Sequence, residues 1–258
     1  MKQTTNTRHI LPLTALAALA FTANPAQAAI SVINQDFGVK VDTGTPAVPL
    51  ETTPHTVSFN AGAADKLIVT LNSELGGGGP AVITYNGAAL TQVPSTSGQK
   101  NIGIYYLDNP FTGGTADLTF DMTSYGAVNG IGFGIVSIAG SLDGVESGNT
   151  AGGLSVDLTP TIANSFVVTT YSSNGGNTPT VPAGHTQLYT SGNIGSADGA
   201  AAYLNGVAAG LQTITYGQGS PSSNQTSGAV FAPAPVPEPS SAALIGLGGL
   251  ALILRRRK

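Results

Sequence analysis

Turn-forming residues interrupt this chain so often that they limit how it can fold. Gly, Asn, Asp, Ser and Pro clusters recur at short intervals from residue 29 to residue 232, and the whole chain of 258 residues has 35 Gly and 16 Pro. The segments between them are short and apolar at every second position, as at Leu67, Val69 and Leu71. No convincing helical periodicity interrupts this pattern. An antiparallel β-sandwich is therefore predicted for residues 29–232.

The strongest local signal is Asn86-Gly87, which lies between the predicted strands 81–85 and 88–93. Asn-Gly readily takes the two positive φ angles of a type I′ hairpin turn. Residues 217–227 are predicted to form a loop, with the start of a stalk as the alternative, and residues 233–239 a stiff Pro-rich spacer. Further strands are predicted at residues 55–60, 66–72, 101–107, 116–122, 130–138, 154–158, 165–172, 186–190, 200–204, 212–216 and 228–232.

Charge and cysteine content exclude several classes of function. From residue 29 to residue 254 the chain carries thirteen carboxylates and only Lys40, Lys66 and Lys100 as cations, a formal charge of −10. A domain this acidic repels phosphate backbones, so nucleic-acid binding is not expected. The chain has no cysteine, which excludes disulfides and thiolate zinc sites.

The N-terminal segment has the three parts of a signal peptide. Lys2 and Arg8 form a positive region, residues 10–21 form an apolar core, and Ala26 and Ala28 form a small-x-small cleavage site. Residues 1–28 are therefore predicted to be removed on export.

The C-terminal segment also has three parts. Val236, Pro237, Glu238 and Pro239 precede an apolar run at residues 240–254, and a basic end follows that consists of Arg255, Arg256, Arg257 and Lys258. The cations resist translocation and keep the C-terminus cytoplasmic. The 15 apolar and small residues form about 22 Å of helix, against a hydrocarbon core of about 30 Å. A processed sorting signal is favoured over the alternative, a permanent single-pass anchor.

This order of motif, helix and basic end resembles the PEP-CTERM sorting signal, a tail also catalogued as an ice-binding protein C-terminal domain. The resemblance implies processing by an exosortase-type enzyme in a Gram-negative bacterium that makes exopolysaccharide. It also implies passage through the inner membrane to the cell surface or the extracellular space. Residues 82–93 and 104–116 weakly resemble a generic bacterial surface β-sandwich module, which implies architecture alone.

The sequence offers little for catalysis. His55 and His185 are far apart and have no neighbouring ligand pattern, and no G-x-S-x-G, P-loop or H-E-x-x-H motif is present. Asp117 and Asp121 lie about 13 Å apart on one predicted strand, beyond the roughly 5–9.5 Å of a glycosidase pair. They are expected on an exposed face, so neither a catalytic residue nor a cofactor is predicted.

One loop could hold an ion. Asp143, Glu146 and Asn149 concentrate oxygen ligands without the D-x-D-x-D-G spacing of a calcium loop. A solvated turn is the favoured interpretation and a weak calcium site the alternative, so no metal is predicted.

Three functional hypotheses remain. The leading one is a non-catalytic surface or extracellular-matrix protein associated with exopolysaccharide or biofilm. The second is a carbohydrate-binding module; sugar platforms use exposed aromatic rings, and this chain has no Trp. The third is a hydrolase. The rings available for a sugar platform are those of Tyr105, Tyr106, Tyr125, Tyr171 and Tyr189.

Overall fold

The structure is a computed structural model that describes residues 27–41, 54–73, 81–94, 102–124, 128, 130–175, 177–195 and 197–236. Gln27–Pro235 forms one compact unit. These described residues contain strands and no helix, which confirms the all-β prediction. Within them no helix long and apolar enough to span a bilayer is found. The predicted signal peptide as far as Ala26 and the predicted membrane helix at residues 240–254 lie outside the described residues.

Sixteen strands make up the described part of the chain. In chain order they are β1 Ser31–Val41, β2 His55–Asn60, β3 Lys66–Ser73, β4 Val82–Tyr85, β5 Ala88–Ala89, β6 Thr91–Gln92, β7 Ile102–Asp108, β8 Thr115–Asp121, β9 Gly130–Ala139, β10 Ser147–Gly152, β11 Ser155–Leu158, β12 Ser165–Asn174, β13 Thr186–Ile194, β14 Ala197–Val207, β15 Gln212–Thr215 and β16 Ser222–Phe231.

All strand pairs are antiparallel, and they form four sheets. The central sheet has the order β1-β9-β3-β7-β6, and a second five-stranded sheet has the order β10-β16-β12-β14-β13. A four-stranded sheet runs β2-β8-β4-β5, and β11 pairs with β15 alone.

The central sheet is buried on both faces. Leu67, Val69 and Leu71 of β3 point into one hydrophobic cluster, which they share with the four-stranded sheet. Ile68 of the same strand points into a second cluster, shared with the other five-stranded sheet. The alternation predicted for these residues is confirmed. Because both faces are covered, every residue of β3 is buried, and the domain is a sandwich of stacked sheets.

Close approach between the two five-stranded sheets depends on a glycine in β9. A Cβ at Gly134 would lie 2.9 Å from Leu188 Cβ of β13, so a larger residue would push that strand away.

Most predicted strands are present within one to three residues of their expected ends. The Asn86-Gly87 turn is confirmed, since Asn86 has φ 48° and Gly87 has φ 79° and the flanking residues Tyr85 and Ala88 pair. The strand predicted at residues 88–93 is broken into β5 and β6, which pair with different neighbours.

The structure differs from the predicted set of strands at three places. The sequence did not indicate β1 or β10 as strands. Residues 217–227 were predicted as a loop, but β16 begins at Ser222 and runs beside β12. Its polar first half completes the ladder between β10 and β12, so tertiary pairing overrides the weak strand propensity of Ser and Asn.

Candidate functional site

The C-terminal exit of the sandwich, residues 233–235, is hydrogen-bonded to the domain. The N–H of Ala234 donates to the carbonyl of Gly140 at 2.8 Å, and the buried Pro233 bridges to Ser141. In the chain that still carries the predicted signal peptide, the N–H of Ala28 also donates to the carbonyl of Ala234 at 2.8 Å, and Gln27 bridges to Pro235. The predicted spacer therefore starts as part of the folded unit, and only residues after Pro235 lie beyond it.

The predicted sorting residues fall at or beyond this exit. Val236 is exposed. Pro237, Glu238, Pro239 and the basic end Arg255, Arg256, Arg257 and Lys258 lie outside the described residues. Of the predicted signal cleavage site, Ala28 is described and Ala26 is not.

A buried ion pair lies in the central sheet. Lys66 opens β3 and Asp108 closes β7, directly opposite each other in the antiparallel register. The Lys66 ammonium contacts the Asp108 carboxylate, with the lysine side chain 1% exposed and the aspartate side chain 26% exposed. Lys66 Nζ also lies 5.2 Å from the centre of the Tyr106 ring and 5.6 Å from that of Phe231. Such a charge is expensive to bury and is stable only while it is paired.

Two carboxylates attach the turn after β9 to this site. Asp65 accepts hydrogen bonds from the N–H of Gly140 at 2.6 Å and from the Ser141 hydroxyl at 2.8 Å. Asp108 accepts one from the N–H of Gly144 at 2.8 Å through its second oxygen, Oδ2. The ion pair therefore joins β3, β7 and the turn that follows β9.

A second polar cluster, the Gln218 cluster, lies on the other five-stranded sheet. The side-chain oxygen of Gln218 accepts from the hydroxyls of Tyr171 at 2.6 Å and Ser173 at 2.8 Å. Its amide nitrogen donates to the carbonyl of Asn177 at 2.6 Å and to the carboxylate of Asp198 at 2.9 Å. Every hydrogen-bonding position of this amide is used. Asp198 is 3% exposed, and the groups beside its carboxylate are neutral: the Gln218 amide donates to it, and the Ser173 hydroxyl lies 3.5 Å away.

Two stacked tyrosines support the Gln218 cluster. The rings of Tyr171 and Tyr216 lie 5.3 Å apart at 19°, and the Tyr216 hydroxyl lies 2.9 Å from Thr169 Oγ1. Burial raises the pKa of both phenols, that of Tyr216 far beyond its ordinary value. These hydroxyls are held as neutral structural groups.

The residues of the predicted calcium loop have separate partners. The Glu146 carboxylate accepts from the backbone and hydroxyl of Thr161 and from the hydroxyl of Ser165. Asn149 lies in β10, where its amide donates to the carbonyl of Asp157 at 2.9 Å, and Asp143 is exposed. In the described ranges no three His, Cys, Asp or Glu residues are grouped to hold a metal ion.

The two histidines lie on different sheets. His55 in β2 stacks on Phe120, with ring centres 6.2 Å apart, and its pKa is lowered first by burial and then by Lys40. His185 precedes β13, and its Nδ1 lies 3.2 Å from the carbonyl of Ala183, so this nitrogen carries the proton. Burial lowers the pKa of His185 as well.

The carboxylates on β8 are placed as predicted. Asp117 is exposed and Asp121 half-buried, while Leu118, Phe120 and Met122 point into the core. The N–H of Thr123 donates to Asp121 and lowers its pKa.

The tyrosine platform suggested for sugar binding is contradicted at three of its positions. Tyr105, Tyr171 and Tyr189 are buried, and each packs into a hydrophobic cluster of the core. Tyr106 is half-buried, with its ring 6.0 Å from that of Phe231, and Tyr125 lies outside the described residues. Sequence periodicity could not show this, since it does not tell how many faces of a strand are covered.

Neither polar centre was identified from the sequence. The available signal for Lys66 is its position at the start of a strand that is apolar on both faces, which indicates a buried lysine that needs a charged partner. Gln218 and Asp198 are separated by 20 positions, and nothing in their local sequence indicates that they meet.

Comparison with known proteins identifies the tail. Residues 235–258 match the PEP-CTERM protein-sorting motif, and the match begins at Pro235, where the folded unit ends. A sequence search of curated proteins finds no match. The chain thus carries a PEP-CTERM sorting motif immediately after a β-sandwich, which marks it as an exported protein that an exosortase-type enzyme processes on its way through the membrane to the cell surface.

Proposed function

We propose that the β-sandwich is a non-catalytic component of the cell surface or extracellular matrix, associated with exopolysaccharide in the biofilm of a Gram-negative bacterium. The observation that carries this proposal is the direct attachment of the sorting motif to the folded unit at Pro235. Almost all of the mature chain is then a single cargo that the tail delivers outside the cell.

The titratable groups make structural contacts, which supports a non-catalytic β-sandwich. Lys66 and Asp108 neutralise each other, Glu146 is hydrogen-bonded to Thr161, and His55 stacks on an aromatic ring. A catalytic group must instead point at a space where substrate can bind.

The four-stranded sheet offers the surface best suited to a polymer of sugars. Its outer polar face consists of side chains on β2 and β8 that are exposed or half-exposed. The hydroxyls of Thr56 and Thr119 lie 3.1 Å apart there, and Ser58 pairs with Asp117. Hydroxyl and carboxylate groups on a flat strand pair can bind sugar hydroxyls without an aromatic ring. The residues of this outer polar face are Thr56, Ser58, Asn60, Thr115, Asp117 and Thr119.

The sorting step is tested by replacing Pro237-Glu238-Pro239 with three alanines and following the protein by mass spectrometry and cell fractionation. Loss of the processed C-terminus and retention in the membrane fraction are expected. An unchanged mature C-terminus with unchanged extracellular protein would contradict the processing.

The matrix role is tested by mixing the exported protein with purified exopolysaccharide and measuring how much sediments with the polymer. The double variant Ser58→Ala, Thr119→Ala should sediment less, because it removes two hydroxyls of this face that can hydrogen-bond to the polymer. The matched control is Thr186→Ala, which removes the hydroxyl of an exposed strand threonine on a different sheet and should sediment like the original protein. Absence of sedimentation for all three proteins would refute the association.

A further inference from the structure

The environment of Lys66 differs from that of an ordinary surface lysine. Its side chain is almost fully buried between the rings of Tyr106 and Phe231. By contrast Lys40, on the edge strand β1, is exposed. A lysine amine that has given up its proton is a strong nucleophile.

An electrophile is held directly against this amine. Asp108 faces Lys66 across the β3–β7 ladder, and its Oδ1 is the oxygen in contact with Nζ. The other oxygen, Oδ2, accepts the Gly144 N–H at 2.8 Å. A donor in that position stabilises negative charge on Oδ2, as an oxyanion hole does. The two strands hold the reacting groups together, so no entropy is lost in bringing them into contact.

We propose that Lys66 and Asp108 form an intramolecular amide bond after the domain folds. The proton of the ammonium first moves to the carboxylate oxygen with which it is in contact. The lone pair of Nζ then attacks Cγ of Asp108, and Oδ2 takes the negative charge beside the Gly144 N–H.

The intermediate then collapses. One further proton passes from Nζ to the Oδ1 hydroxyl, the bond between Cγ and Oδ1 breaks, and one water molecule leaves, so that Nζ keeps the single hydrogen of a secondary amide. The ammonium and carboxylate have become a secondary amide and water, so atoms and charge balance without an oxidant or other reactant. The partial exposure of Asp108 gives the water a route out of the site.

Such a bond would give the domain a covalent cross-link, which a chain without cysteine cannot obtain from a disulfide. The chain is exported and has no cysteine, so no disulfide can restrain it outside the cell. A bond between residues 66 and 108 closes a loop through β4, β5 and β6 and restricts the unfolded chain in the way a disulfide does. It also fixes two neighbouring strands of the central sheet.

The test is a tryptic digest of the denatured full-length or processed protein, analysed by mass spectrometry. Trypsin does not cut after an acylated lysine. The digest should therefore contain residues 41–100 uncut at Lys66 and joined to the fragment that starts at Asn101. The mass of this product should be lower than that of its two parts by one water molecule.

Three variants isolate the reaction. Lys66→Arg keeps the positive charge but removes the nucleophile, and Asp108→Ala removes the electrophile, so both should give separate fragments of the mass their sequences predict. Lys40→Arg changes the exposed lysine of β1 and should keep the joined fragment. Cleavage after Lys66 in the original protein, with the fragment from Asn101 at its plain sequence mass, would overturn the proposal and leave an ordinary ion pair.

Discussion

Asp108 and Asp198 are two carboxylates in the same sandwich that are stabilised in opposite ways. Asp108 faces the buried Lys66 ammonium. Asp198 is more deeply buried, but its partners are the neutral groups of Gln218 and Ser173. The Asp108 carboxylate is stabilised by one opposite charge. The Asp198 carboxylate is stabilised by the dipoles of neutral groups.

This difference predicts unequal consequences when each partner is lost. Removing Asp108 leaves the buried ammonium of Lys66 without its charged partner. Removing Asp198 leaves one N–H of Gln218 without its acceptor, while the other N–H still donates to the carbonyl of Asn177. Loss of the single charged partner should therefore cost more stability than loss of one member of the hydrogen-bond network.

The largest effect is expected for Asp108→Ala. Breaking a buried pair on one side typically costs about 3–5 kcal/mol, because the remaining charge stays buried. The free energy of unfolding should fall by at least this amount, since the proposed amide bond is lost as well, measured by urea unfolding followed through the fluorescence of the eight tyrosines.

Lys66→Met is the matched control for that variant. Methionine fills the space of the lysine stem without a charge, and Asp108 keeps the Gly144 N–H and its access to water. Its loss of stability should be clearly smaller than that of Asp108→Ala. Equal losses would show that the cost comes from packing or from the lost bond rather than from an unpaired ammonium.

A smaller effect is expected for Asp198→Ala. One amide donor of Gln218 loses its acceptor, which costs about 1–3 kcal/mol when the donor stays buried. The same urea unfolding experiment measures this loss. A loss as large as that at Asp108 would mean that the network does not distribute the stabilisation.

A single hydroxyl in the Gln218 cluster should contribute less again. Tyr171→Phe removes one donor to Gln218 and keeps the ring stacked on Tyr216. About 1 kcal/mol of stability should be lost. Tyr203→Phe removes a hydroxyl that reaches Gln35 at the exposed surface and should change the unfolding midpoint less. Equal shifts in the two variants would argue that burial does not strengthen the Tyr171 bond.

The sequence predicted the parts of this fold that depend on local chemistry. The Asn86-Gly87 turn follows from backbone preference, and the alternation on β8 follows from one covered face. By contrast β10 is rich in Gly, Ser and Asn and exists because β16 pairs with it. Its existence could not be predicted, since strand pairing between distant segments is set by tertiary context.

The two polar centres show the same limit. The contact between Lys66 and Asp108 depends on the register of β3 and β7, and the Gln218 cluster depends on where β12, β14 and the segment after β15 meet. The sorting motif is the opposite case, because a linear peptide signal is carried by its residue order and needs no folded partner. For this reason the destination of the protein was predictable and the stabilisation of its core was not.

The smallest expected effect is on the pH dependence of the free energy of unfolding, and it comes from the two histidines. Burial and then Lys40 lower the pKa of His55 in the folded state, so the unfolded chain binds a proton at this residue more readily. Stability from this source is fully present above the unfolded pKa of about 6.5 and is lost as pH falls towards the lower folded pKa. His185 adds a loss of the same sign, since burial lowers its pKa too. Urea unfolding between pH 7.5 and pH 5 should therefore show a modest fall that becomes shallower in His55→Gln, whereas an unchanged slope would show that His55 does not contribute to it.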